Sequence, residues 1–113
     1  MHELSIAIEI IETSIKIATS NQASTIKEIE IDVGAISGVD YDALCVALDS
    51  AKLNSMAENA NIKINKIFAK ALCENCKKQF EIKEFEYFCP FCFSLNIDII
   101  TGKELKIKHI IIE

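Results

Sequence analysis

The sequence lacks several features on which whole classes of protein depend. It contains no arginine and no tryptophan, and its 12 lysines are outnumbered by 17 acidic residues, giving a formal charge of −5. Nucleic acids and anionic membranes are bound by basic surfaces that release counterions, so this balance argues against both partners. The longest apolar run, Ala43 to Leu48, is far shorter than the roughly 20 residues of a transmembrane helix. We therefore expect no nucleic-acid and no membrane partner.

Motifs of enzymes and of exported proteins are also missing. The sequence has no G-x-x-x-x-G-K-[ST] phosphate loop and no readable Ser-His-Asp or Cys-His arrangement, so we predict that it is not an enzyme. No cationic leader precedes the first apolar stretch, which carries Glu9 and Glu12, and this predicts a cytoplasmic protein. In such a compartment, an odd number of cysteines, here five, favours reduced thiols and metal binding over a disulfide framework.

The remaining pattern is typical of a small α+β fold. Half of the 113 residues are hydrophobic, which is enough for one modest core. Apolar residues recur at helical spacing from Leu4 to Ala18, and a second helix is predicted from about Tyr41 to Asn54, after the N-cap candidate Asp40. We expect these two amphipathic helices to pack on a small, about three-stranded sheet. Apolar and β-branched residues predict its strands around Ile29–Val33, Ile62–Ala71 and Leu105–Ile111.

Residues 70–100 differ in character from the rest of the chain. They hold four of the five cysteines and six of the eight aromatic residues, and we interpret them as an inserted zinc-ribbon-like module that binds a metal through four cysteines. Residues 1–69, completed by the C-terminal strand 101–113, form the predicted α/β domain. The fifth cysteine, Cys45, lies in the second helix and is expected to be a buried, apolar thiol.

The four cysteines of this module form two C-x-x-C pairs separated by twelve residues: Cys73, Cys76, Cys89 and Cys92. A two-residue gap lets a turn aim both thiolates at one ion, and a hairpin between the pairs brings four sulfurs into a tetrahedron. With all four positions filled by protein, the metal is expected to be structural. Zinc is the favoured ion, and rubredoxin-like iron or a pair of disulfides are the alternatives.

The first residues offer a second kind of metal site. The Met1 amine, the His2 amide nitrogen and the His2 imidazole can close two fused chelate rings in one plane, and Glu3 can complete the square through its backbone nitrogen or its carboxylate. Planar nitrogen ligation suits Ni(II) or Cu(II). If a helix begins near Glu3, its first N–H groups have no intrahelical acceptor, so losing a proton there breaks no helical hydrogen bond. A solvated histidine without a function is the alternative.

The other histidine, His109, lies in the last predicted strand. It shares strand parity with Leu105 and Ile107, which predicts a position at the edge of the core face. An auxiliary metal ligand is the alternative role for His109.

With Met1-His2-Glu3-Leu4-Ser5 at one end and the two C-x-x-C pairs, nearly the whole sequence resembles the HypA family of hydrogenase nickel-incorporation proteins. Three internal segments carry the resemblance further: Val33-Gly34-Ala35-Ile36-Ser37-Gly38-Val39, Ala57-Glu58-Asn59-Ala60 and Gly102-Lys103-Glu104-Leu105. The sequence departs from the family at Ala35, where a Glu is frequent, and at Phe93, which replaces a Gly after the second knuckle. A bulky residue at that position predicts a strained or altered turn.

The resemblance implies a metallochaperone with two metals. Nickel, as transient cargo, falls on His2 with Glu3 and the Met1 amine, and a structural zinc falls on Cys73, Cys76, Cys89 and Cys92. The implied partners are a HypB-type GTPase, the precursor of the [NiFe]-hydrogenase large subunit and, in some members, urease maturation proteins. The alternative function is a zinc-ribbon adaptor that binds proteins and has no nickel role.

Overall fold

The computed structural model describes residues 2–84 and 86–113. It confirms the predicted α+β fold, with two helices and two three-stranded sheets of strand order β2-β1-β6 and β4-β3-β5. Of the helices in these two ranges, neither is long and apolar enough to cross a membrane. The elements in chain order are α1 (Glu3–Ser20), β1 (Ile26–Gly34), α2 (Tyr41–Ala51), β2 (Asn61–Ile67), β3 (Lys70–Cys73), β4 (Gln79–Glu81), β5 (Ile97–Thr101) and β6 (Leu105–Ile112).

The chain forms two compact units. Unit 1 comprises Met1–Asp32, Val39–Asn65 and Lys106–Glu113, and unit 2 comprises Val33–Gly38 and Lys66–Leu105. Unit 2 therefore holds the two C-x-x-C pairs together with a short segment that begins at the end of β1.

In unit 1, α1 contacts α2, and a stripe of small and branched side chains along α1 is buried. Because residues three and four positions apart share one helix face, the buried positions fall on one side of α1. Leu4 and Ile8 lie outside that stripe and are 54% and 42% exposed. The buried residues of the stripe are Ala7, Ile10, Ile11, Ser14 and Ala18.

Helix α2 starts where the sequence predicted and ends earlier. The Asp40 side chain accepts a hydrogen bond from the Ala43 N–H at 3.1 Å, which is the expected N-cap. The predicted end at Asn54 is wrong, because the last helical residue is Ala51. Asn54 adopts a positive φ of 59°, and this left-handed conformation is incompatible with continuing the helix.

The central strand β1 alternates as predicted. Ile29, Ile31 and Val33 are buried on one face, and acidic side chains occupy the other. Among these acids, Glu30 is 7% exposed. A hydrogen bond from the Asn65 amide lowers the pKa of Glu30, outweighing the effect of burial, and the nearby positive groups on β2 and β6 lower it further.

In unit 2, β3 is the middle strand and pairs antiparallel with both β4 and β5. The sequence predicted one strand over Ile62–Ala71, but the chain forms two strands there, β2 ending at Ile67 and β3 beginning at Lys70. Between them, Phe68 is 66% exposed, and its carbonyl accepts a hydrogen bond from the Thr101 hydroxyl at 2.8 Å. The buried core of this unit is small and includes two cysteines: Ala69, Ala71, Cys73, Phe80, Ile82 and Cys89.

In the turn between Gly34 and Gly38, the backbone lies close to the backbone of residues 102–104. The Gly34 N–H donates to the Glu104 carbonyl at 2.7 Å, and the Ile36 N–H donates to the Gly102 carbonyl at 2.8 Å. A Cβ on Gly34 would lie 2.0 Å from the Gly102 carbonyl oxygen. Gly38 has a positive φ of 86°, and a Cβ there would meet no heavy atom within 4 Å.

These two glycines make a matched pair of substitutions. Gly34→Ala must displace backbone and is expected to lower the free energy of unfolding by about 3 kcal/mol. Gly38→Ala incurs only left-handed backbone strain, about 1–2 kcal/mol. Chemical unfolding of the metal-loaded chain measures both, and equal losses would contradict the steric role of Gly34.

Candidate metal centre

Two turns of unit 2 bring the four predicted cysteines together. Cys73 is the last residue of β3, Cys76 lies in the turn that follows, and Cys89 and Cys92 lie in a second turn before β5. The Sγ atoms of Cys73 and Cys92 are 3.6 Å apart, as are those of Cys76 and Cys89. All four sulfur atoms lie within 4.8 Å of one another.

The sulfur distances fit a four-coordinate metal and do not fit disulfides. A disulfide bond places its sulfurs about 2.05 Å apart, whereas the four cysteines are free thiols 3.6 Å from their nearest neighbours. Four thiolates at the Zn–S length of about 2.3 Å form a tetrahedron with edges of roughly 3.8 Å. The cluster can therefore hold one metal ion such as zinc, and the four sulfurs leave no coordination position open.

Both C-x-x-C turns have the same local construction. Directly after each pair, Lys77 and Phe93 adopt positive φ angles of 66° and 62°. Their N–H groups donate to the carbonyls of Cys73 and Cys89, each at 2.8 Å. The predicted strain at Phe93 thus corresponds to a left-handed residue, in a turn that closely matches the first one.

Backbone N–H groups in these turns also point at the sulfur atoms. The Cys76 N–H donates to Sγ of Cys73 at 3.4 Å, and this hydrogen bond is the largest of several that together outweigh burial and lower the pKa of Cys73 to about 6. Burial raises the pKa of Cys89, but the N–H groups of Cys92 and Phe91 outweigh it and lower the pKa. For Cys76, a backbone hydrogen bond lowers the pKa, but burial and the neighbouring sulfurs outweigh it and raise the pKa to about 11. Because the thiolate is the form that binds metals, Cys73 and Cys89 are the cysteines held nearer to that form.

The cluster has a buried side and an exposed side. Cys73 and Cys89 are buried in the core of unit 2, whereas Cys92 is exposed. Near the exposed side, the Asn75 amide lies 4.0 Å from Sγ of Cys92, and the Lys78 ammonium lies 4.7 Å from the centre of the Phe91 ring. The fifth cysteine, Cys45, is half-buried in α2, which is less than the full burial expected for it.

At the start of unit 1, His2 occupies the N-cap position of α1. Its carbonyl accepts the Ile6 N–H at 3.0 Å, and its exposed side chain makes no capping hydrogen bond. Glu3 is 8% exposed, and its carboxylate accepts the Asp40 N–H, the N-cap of α2, at 3.0 Å. The Met1 amine, the other predicted nickel ligand, lies outside the described residues.

Strand parity predicted that the second histidine, His109, lies at the edge of the core face, and this prediction is wrong. The His109 side chain is 44% exposed and lies next to Glu28 and Glu30 of β1, so the three residues form a second group of potential ligands. Glu28 and Glu30 were not identified from the sequence as candidates, because their proximity to His109 depends on strand pairing.

Comparison with known proteins agrees with this architecture. The family model described as "Hydrogenase/urease nickel incorporation, metallochaperone, hypA" matches residues 1–112. A hydrogenase maturation factor HypA from Parabacteroides distasonis is 39% identical over 113 residues, which cover 100% of this chain and 98% of that protein. The corresponding factor from Psychromonas ingrahamii is 35% identical, with 100% and 99% covered.

Solved structures share the fold. The solution structure titled "HypA protein" superimposes with a TM-score of 0.71 at 25% identity, covering 100% of this chain and 97% of that one. The solution structure of the Ni metallochaperone HypA from Helicobacter pylori has a TM-score of 0.69 at 24% identity, with 99% and 97% covered.

The left-handed residue of the first turn provides a test of the turn geometry. Replacing Lys77 by Gly removes the cost of a positive φ and is expected to stabilise the metal-loaded chain by about 0.5–1 kcal/mol. Lys77→Ala removes the same charged side chain and keeps that cost, so it should not stabilise. Thermal unfolding of both variants measures the difference, and equal melting temperatures would contradict the turn geometry.

Proposed function

Because the chain belongs to the HypA family of hydrogenase and urease nickel-incorporation proteins, we propose that it binds Ni(II) at His2 and delivers it to a [NiFe]-hydrogenase precursor. The family consists of metallochaperones, which are maturation factors without catalysis, and the chain is therefore not an enzyme. Nickel is its cargo, and release of the ion to the precursor completes its task.

The observation that carries the nickel site is the state of His2 at the start of α1. Its exposed imidazole makes no capping hydrogen bond, so it is available to an ion from solvent. The first N–H groups of a helix have no intrahelical acceptor, and the helix dipole favours negative charge there. Both effects favour the deprotonated backbone nitrogens that a planar Ni(II) site needs.

Glu3 contributes to this site through its backbone. Its buried carboxylate accepts a hydrogen bond from the Asp40 N–H and connects the first turn of α1 to the N-cap of α2. We therefore assign the backbone nitrogen of Glu3 as the fourth ligand, beside the Met1 amine and the two His2 nitrogens. In this arrangement the carboxylate holds the first turn in position.

We propose that Cys73, Cys76, Cys89 and Cys92 hold a structural zinc ion. The closed set of four sulfurs and the two lowered thiol pKa values support this assignment. Two of the four ligands belong to the small core of unit 2, so the metal and the core support each other. Binding energy of the metal is then folding energy for this unit.

We also propose partners and a cytoplasmic location for the chain. The sequence has no phosphate-binding loop, so a HypB-type GTPase would supply any nucleotide-driven step. The family also serves urease, and urease maturation proteins are therefore a second possible set of partners. The five cysteines form no disulfide in the structure, which agrees with a reducing cytoplasm.

One observation favours the alternative, an adaptor that binds proteins through its zinc module. Near the second turn, Phe91, Phe93 and Leu95 are 56%, 73% and 80% exposed. Exposed aromatic residues of this kind anchor many protein interfaces. An adaptor would bind its partner without nickel, whereas the metallochaperone requires a nickel site at His2.

The nickel site is tested by titrating Ni(II) into the zinc-loaded chain beginning at Met1. The wild-type chain should develop a planar-type absorption spectrum, because four nitrogens surround the ion. His2→Ala should abolish this spectrum while zinc content stays unchanged. His109→Asn is the matched control and should retain the planar spectrum, and an unchanged spectrum in His2→Ala would overturn the proposed site.

The zinc site is tested by metal analysis and unfolding. One zinc per chain is expected, and since a structural zinc contributes on the order of 10 kcal/mol, chelation should unfold unit 2. Cys92→Ser should lose zinc and destabilise the chain. Cys45→Ser should keep both zinc and stability. Iron in place of zinc, or full stability after chelation, would contradict the assignment.

A further inference from the structure

A polar cluster on the sheet of unit 1 has no part in the proposed function. Glu28 and Glu30 are alternate residues of β1 and share one face of that strand, and His109 comes from the neighbouring strand β6. Nε2 of His109 lies 3.2 Å from Oε2 of Glu28 and 3.3 Å from Oε1 of Glu30. One oxygen of each carboxylate therefore converges on a single imidazole nitrogen.

We propose that Glu28, Glu30 and His109 form a second metal site, which takes a divalent first-row transition ion such as Ni(II). The three ligand atoms lie within 4.8 Å of one another. An ion about 2.1 Å from each donor holds neighbouring donors roughly 3.0–3.4 Å apart. The two N–O distances fall in this range, so the imidazole nitrogen and each carboxylate oxygen are already spaced as two ligands of one ion.

The far oxygen of each carboxylate is hydrogen-bonded from the other side. The Asn65 amide donates to Oε2 of Glu30 at 2.7 Å, and the Asn61 amide makes a longer contact of 3.5 Å with Oε1 of Glu28. Both asparagines belong to β2, on the opposite flank of the central strand. Such partners orient metal ligands before the ion arrives and strengthen its binding.

Burial and charge also suit a cation. The Glu30 side chain is 10% exposed and forms the floor of the cluster, while the His109 side chain is 44% exposed and gives an ion access from solvent. The Lys108 ammonium opposes a bound cation, but it lies 3.6 Å from Oε2 of Glu30, the oxygen that faces away from the imidazole. Asp32, which shares the Asn65 amide at 2.9 Å, adds negative charge beside the cluster.

The donor types determine the class of ion. Carboxylates alone suit magnesium or calcium, whereas a set that includes imidazole suits nickel, zinc, copper or iron. Three protein ligands leave coordination positions for water, in contrast to the closed cluster of four thiolates. An ion bound by Glu28, Glu30 and His109 is therefore exchangeable, as transient cargo must be.

The test uses the zinc-loaded full-length chain with His2→Ala, which removes the proposed N-terminal site. Ni(II) titration should give one nickel per chain and broaden the His109 ring signals in the NMR spectrum. Adding His109→Asn should weaken this binding at least about tenfold. No nickel binding by His2→Ala, or equal binding with and without His109, would overturn the second site.

Two carboxylate variants distinguish the loss of a metal ligand from the loss of a nearby negative charge. In the His2→Ala chain, Glu28→Gln should weaken nickel binding at least about tenfold because a ligand is lost. Asp32→Asn removes the same charge but no ligand, so it should change the affinity by less than about threefold. Equal losses in the two variants would overturn the site, and circular dichroism verifies that each variant is folded.

The test of the second site can fail independently of the test of the N-terminal site. An unaltered planar spectrum in His2→Ala would refute the N-terminal site, whereas the second site would still be decided by comparing nickel affinity with and without His109. Loss of the planar spectrum in His2→Ala, with no remaining nickel in that variant, would refute only the second site.

Discussion

Convergence of four thiol groups is the constraint on which unit 2 depends. Among the described residues, its buried core consists of only six side chains, and two of them, Cys73 and Cys89, are cysteines of the cluster. A core of that size provides little hydrophobic free energy, because small units bury a small share of their surface. Without a metal, the cysteine sulfurs also lack the coordination partner for which the turns position them. If the cluster holds a metal as proposed, metal binding and packing are one property of this unit.

The sequence contained enough information to predict the features that depend on local patterns. The alternation along Ile29, Ile31 and Val33 predicted β1, and the spacing of the cysteine pairs predicted their cluster, because both depend on residues close in sequence. The ends of elements were predicted less well. The left-handed conformation of Asn54 ended α2 early, and no regular pattern of apolar residues signals such a turn. The short strands β4 and β5 were missed, since three to five residues carry little periodicity.

Features that depend on contacts between elements far apart in the sequence could not be predicted. His109 was expected near a core face from its parity within one strand, yet its environment is set by β1, far away in the sequence. The same holds for Glu3, whose buried carboxylate reaches Asp40 at the start of α2. In both cases a polar side chain has its partner on another element, and the identity of that partner is a consequence of the fold.

The matching turns after Cys73 and Cys89 have a consequence for how the metal enters. Each turn positions its own pair of sulfurs through hydrogen bonds between residues at most four apart, with Lys77 and Phe93 closing the two turns. Such short-range contacts form fast and need no other part of the chain. If the cluster takes up a metal ion as proposed, one pair of cysteines would meet it first, and the loop between the pairs would then close. Closing a loop of about this length costs about 3 kcal/mol of chain entropy, which coordination by the second pair would offset. Metal uptake by this unit would then be a two-step capture, in which either pair of cysteines could make the first contact.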